Sequence, residues 1–126
     1  MKKIDKRKNP RTDICTPISY FCIDKNGHIL DQQTGAAFNI SQSGIGFETG
    51  LTIKSDYILL NFIDLEDNVV EIKGQVVYCR KNDSGRYDTG INFHGTHAEK
   101  IQFKNKLIES CNYQKNRFDI AISLPT

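Results

Sequence analysis

Short runs of β-branched and aromatic residues, broken again and again by turn-forming residues, constrain this chain more than any other feature. The sharpest run lies between Val70 and Tyr78, where Val70, Ile72, Val76 and Tyr78 alternate with Glu71, Lys73, Gln75 and Val77. Successive side chains of a strand point to opposite faces, so this pattern predicts a half-buried strand with the first set facing the core. Comparable runs cover Ile14 to Ile23, Ile29 to Ile40, Tyr57 to Ile63 and Tyr87 to Phe93; another follows Gly44 and Gly46, with Ile45, Phe47 and Thr49 on one face. Pro17 predicts an edge position or a bulge in the first of them. Asn26-Gly27 predicts a tight type I′ hairpin with positive φ at both residues. Asp64-Leu65-Glu66-Asp67-Asn68 reads as a solvated acidic turn, and Asn82-Asp83-Ser84-Gly85 as one more reversal. Strands this short at this spacing build a sandwich or barrel, not βαβ units.

One helix is signalled. Thr96-His97-Ala98-Glu99 is a capping box, in which hydroxyl and carboxylate each satisfy an otherwise unpaired backbone N–H. At about 100° per residue, Ile101, Leu107, Ile108 and Cys111 fall in one arc, with Lys104 intruding. The expectation is a helix over 97–112 lying across an open end of the barrel. In the tail, 113–126, Phe118, Ile120, Ile122 and Leu124 alternate with Asp119, Ala121 and Ser123. That alternation allows an extra strand, paired with a barrel edge or another subunit.

The 126 residues suit a single domain large enough to bury a core. No apolar run approaches the roughly 20 residues of a membrane span, and no apolar stretch follows the basic start. The expected location is therefore cytoplasmic, without membrane insertion. Cys15, Cys22, Cys79 and Cys111 form no CxxC pair, and Cys15 and Cys79, within strand-like runs, read as small buried hydrophobes. His94 and His97 lack a third ligand at metal-binding spacing, and no nucleophile stands with a base and an orienting partner. Neither metal nor catalytic residues are expected. Charge is unevenly placed: residues 1–11 carry a net +5, leaving the other 115 at −3. A cationic arm on a mildly acidic body suits a local anionic partner, although a solvated tail has the same composition.

Two clusters carry candidate chemistry. Arg7-Lys8-Asn9-Pro10-Arg11 spaces two arginines as RxxxR in a segment that Pro10 keeps out of helix. Guanidinium forks match phosphate oxygens, or O6 and N7 of guanine, two at a time, and a charge-assisted bond of this kind is worth roughly 1.5–3 kcal/mol. Asn39-Ile40-Ser41-Gln42-Ser43-Gly44 has the spacing NxSxxG at the junction of two strands. Its short polar side chains bond either a base edge or their own backbone, and Gly44 permits positive φ or close approach of a ligand.

RxxxR, about thirty residues with a hairpin, then NxSxxG before a strand, resembles the PilZ family of cyclic di-GMP receptors. So does Tyr87-x-x-Gly90-Ile91-x-Phe93 ahead of a helix, and the resemblance covers roughly residues 6 to 112. It implies an all-β fold, a six- to seven-stranded antiparallel β-barrel with a C-terminal α-helix, carrying a flexible basic arm over residues 1–12. It implies a bacterial, non-enzymatic receptor whose ligand is cyclic di-GMP, with no cofactor. Arg7 and Arg11 would hold phosphates and one guanine edge, Asn39 and Ser41 the other guanine, and Gly44 would keep the turn open. Lys6, Lys8 and Ser43 are secondary candidates, and Lys6 leaves open whether one or two ligand molecules bind. Ligand binding would order the arm and signal to a protein effector in motility, polysaccharide or regulatory machinery. Two alternatives are a β-barrel binding RNA or single-stranded DNA, with Tyr20, Phe21 and Tyr57 as surface stacking residues, and a nucleotide-independent interaction module.

Overall fold

In the computed structural model, residues 10–123 are described, with side chains as far as Tyr113. Six strands precede one helix: β1 (Thr12–Ile23), β2 (Ile29–Ile40), β3 (Gly44–Thr49), β4 (Tyr57–Ile63), β5 (Val69–Lys81), β6 (Tyr87–His94) and α1 (His97–Ser123). The strands are antiparallel and close into a barrel in the order β1-β2-β3-β6-β5-β4. The lumen is filled by inward-facing residues of all six strands, among them Ile18, Tyr20, Ala37, Phe47, Leu60, Ile72 and Ile91. Tyr20 meets Phe47 edge-on, with ring centroids 5.2 Å apart. Burial pushes the Tyr20 phenol up to about 12, so it stays neutral.

Three of the hairpins use one device. At Asp24, Asp64 and Asn82 a side-chain Oδ1 accepts backbone N–H groups two and four residues on, at 2.9–3.1 Å. The fourth residue of each turn has positive φ: Gly27 (84°), Asp67 (64°) and Gly85 (83°). The N–H of that residue donates to the carbonyl of the first, and the next residue re-enters the ladder. Asn26 therefore does not take positive φ, and the first hairpin is not the expected type I′ turn. Asp24 captures the Asn26 N–H, which favours a type I turn ending in a left-handed glycine.

The alternation in β5 holds only in part. Val76 pairs with Ile91 but Tyr78 with Gly90, so Val77 is a bulge. An extra residue flips the strand's faces. Tyr78, expected in the core, stands on the outer wall, and Cys79 turns inward to accept from Thr89 Oγ1 at 3.3 Å. In β1 the register shifts between Asp13 and Thr16; Cys15 in that irregularity is exposed, contrary to expectation. Pro17 pairs with Ala36 on one side, and pairing to β4 begins only at Ser19, so the proline has the edge position its missing N–H requires.

The capping box starts α1: Glu99 N–H donates to Thr96 Oγ1 at 3.1 Å, and Thr96 N–H to Glu99 Oε1 at 3.0 Å. The helix closes one end of the barrel through Phe103 and Leu107, each 1% exposed. Phe103, outside the arc anticipated for the apolar face, meets Phe62 and Phe93 edge-on with centroids 5.3 Å apart. The acidic turn takes part as well. Asp64, expected to be solvated, is buried, and its Oδ2 accepts from Lys106 Nζ at 3.2 Å. Hydrogen bonds led by the Asn68 N–H, with Lys106 behind them, hold its carboxyl below the usual range. The helix runs on to Ser123, so the extra strand allowed for the tail does not form there. No Gly or Pro interrupts residues 97–123, and a closed barrel offers that segment no open edge like the one a flat sheet would.

Candidate functional site

Register brings Arg11, the end of the first cluster, to the second. Thr12 pairs with Ile40 and Asp13 with Asn39, so Arg11 emerges beside the turn that joins β2 to β3. A pocket of about 190 Å³ on the outer wall is lined by Arg11, Asn39, Ser41, Ser43, Gly44 and residues of β3, β5 and β6. Among the described residues Arg11 is the sole charged one in the lining, and no carboxylate lines it. Arg7, Lys6 and Lys8 lie outside the described residues.

The turn is built from its own side chains. Ser41, 6% exposed, accepts the N–H groups of Ser43 and Gly44 on its Oγ at 3.3 and 3.2 Å. Its own N–H donates to the Gly44 carbonyl at 2.9 Å, and Phe93 N–H donates to the Ser43 carbonyl at 2.8 Å, tying the turn to β6. Asn39 Oδ1 accepts the Gly46 N–H at 3.1 Å. With its oxygen so engaged, Asn39 has an amide NH₂ for the pocket. Ser41 thus shapes the loop before any ligand arrives, which matches the reading of the motif as a self-bonded turn.

Gly44 does not use the positive φ that a glycine permits, and the fold itself needs its missing side chain. A Cβ there would overlap the Ile91 carbonyl oxygen. Gly90 has an analogous role, since its missing Cβ leaves the place that the Tyr78 ring takes. At Gly46 a Cβ would come within 2.9 Å of Asn39 Oδ1 and 2.7 Å of the Phe38 ring. Sequence reasoning missed Gly46, Val77, Tyr78, Gly90 and Asn92 as lining residues. Gly90 had a signal, in the Tyr-x-x-Gly pattern; Tyr78 had none, because its position depends on the bulge.

Among the described residues, no group of three His, Cys, Asp or Glu is placed to hold a metal ion, and no helix is long and apolar enough to cross a membrane. Tyr20, a stacking candidate of the nucleic-acid reading, is 2% exposed and belongs to the core.

Fold and pocket together define a β-barrel whose lumen is packed with side chains and whose polar pocket lies on the outer wall. The model of the PilZ domain matches residues 5–112, and the chain belongs to that family. Several solved structures share the fold. The Bacillus subtilis inhibitor of motility, MotI/DgrA, is 19% identical over 92% of this chain and 55% of that one, with TM-score 0.60. The PilZ domain of Escherichia coli YcgR, solved with c-di-GMP, is 9% identical over 95% of this chain and 100% of that one, also at 0.60. The K. pneumonia MrkH–c-di-GMP complex is 14% identical over 90% and 55%, again at 0.60. At such identities the likeness is one of fold, and this chain spans about half the length of the MotI and MrkH chains. No curated protein matches the sequence.

Proposed function

We propose that this protein is a cyclic di-GMP receptor that binds the dinucleotide on the barrel wall and passes the signal to a protein partner without chemical conversion. The carrying observation is the single pocket in which Arg11 stands with Asn39, Ser41, Ser43 and Gly44. Membership of the PilZ family and the c-di-GMP-bound YcgR and MrkH structures support the same ligand. Arg7 and Arg11 would clamp phosphates and a guanine edge from the arm, and Asn39 and Ser41 would hold the second guanine against the rigid turn. The free energy for drawing the arm onto the wall comes from contacts made only in the bound state. The output is a new surface of arm and ligand for an effector in the cytoplasm.

Calorimetric titration with cyclic di-GMP, with GTP and cyclic AMP as controls, tests the reading directly. Saturable binding of the cyclic dinucleotide alone supports it, and no heat at saturating concentration removes it. Arg7→Ala with Arg11→Ala should abolish binding while the free protein melts as before. Short oligonucleotides probe the alternative: a nucleic-acid binder should lose affinity steeply with salt.

A further inference from the structure

We infer that Arg80 is a third ligand-binding guanidinium, mounted on Tyr78 at the β5 flank of the pocket; this rests on the reading of the site as a cyclic di-GMP receptor. Three observations converge. The bulge at Val77 turns Tyr78 out of the core and into the pocket lining. The absent Cβ of Gly90 lets the Tyr78 ring settle against the wall. The Arg80 guanidinium then lies over that ring, 4.4 Å from its centroid.

The arrangement suits a ligand better than it suits the fold. Among the described residues Arg80 is exposed and makes no ion pair, and Asp88, its cross-strand neighbour, accepts from Asn82 Nδ2 instead. A guanidinium stacked on an aromatic face keeps its N–H fork unspent and in a defined plane. Among the described residues no carboxylate lines the pocket, and Asp88, the acid across the ladder from Arg80, is engaged by Asn82. Arg11 enters from the β1 side and Arg80 stands on β5, so guanidinium groups flank the pocket from opposite sides of the β2-β3-β6 wall. A ligand with two phosphates and two purines has acceptor pairs for both flanks. The chemistry recognised at Arg80 is a planar pair of acceptors, supplied either by phosphate oxygens or by O6 and N7 of guanine.

The test compares affinities of the full chain and its variants for cyclic di-GMP. Arg80→Ala should weaken binding about tenfold with the melting temperature of the free protein unchanged, and Arg80→Lys, which keeps charge but not the fork, should recover only part of it. Tyr78→Leu, which removes the aromatic platform, should bind as weakly as Arg80→Ala, and Tyr78→Phe, which keeps the ring, should bind more tightly than Tyr78→Leu. Cyclic di-AMP separates the two sources of acceptors: loss of affinity for both dinucleotides by Arg80→Ala points to phosphate, and loss for the guanine ligand alone to the base edge. If the parent binds cyclic di-GMP and Arg80→Ala binds equally well, the assignment of Arg80 is wrong and the receptor reading stands. If the parent does not bind, both fall.

Discussion

Two glycines show how much a single missing Cβ decides here. A methyl on Gly44 would run into the Ile91 carbonyl, which is backbone and held in the β3–β6 ladder. A methyl on Gly90 would meet the Tyr78 ring, a half-buried side chain with room to swing outward. Gly44→Ala should therefore cost about 1–3 kcal/mol in urea unfolding, as overpacking does, and Gly90→Ala distinctly less. Asp67 is the converse case. It holds φ of 64° where the two sister turns have glycine, and Asp67→Gly should raise stability by roughly 0.5–1 kcal/mol in the same measurement.

At the scale of elements, the contact between the β4–β5 turn and α1 decides where the helix sits. Phe103 fills the barrel end between Phe62 and Phe93, and Phe103→Ala should cost about 3–5 kcal/mol by denaturant unfolding. Asp64 makes this contact dependent on pH. Its carboxyl titrates lower when folded, held down chiefly by the Asn68 N–H, and Lys106 titrates higher because of Asp64. A carboxyl lowered by folding contributes stability above its unfolded pKa and loses it as pH falls through the folded one. A lysine raised by folding contributes below its unfolded pKa and loses that as pH rises through the folded one. Stability should be fullest between the ordinary carboxylate and lysine ranges. Asp64→Asn should flatten the acid limb of a plot of stability against pH, and an unchanged limb would rule the pair out as its source.

For the molecule as a whole, site and core hardly overlap. The lumen is packed, and the pocket lies on the outer wall, lined mostly by the turn and by outward positions of β5 and β6. Ligand binding should therefore stabilise the folded state by mass action, by about 2.7 kcal/mol at a free concentration 100 times Kd, read as a concentration-dependent rise in Tm. Replacing Arg7 and Arg11 should remove that rise without lowering the starting Tm.

Much of this was legible in the chain itself. Period-two alternation, turn residues and the Thr96–Glu99 box report local backbone preference, and they placed six strands and the helix start. RxxxR and NxSxxG named the groups suited to a phosphate and a purine. Which face a strand presents after a bulge, how far a helix runs past its last buried turn, and which carboxylate finds a lysine across the barrel depend on partners distant in sequence. Only the closed sheet settled those: its register set Arg11 beside Asn39, turned Tyr78 outward and buried Asp64 against Lys106, because ladder pairing joins residues that no local pattern connects.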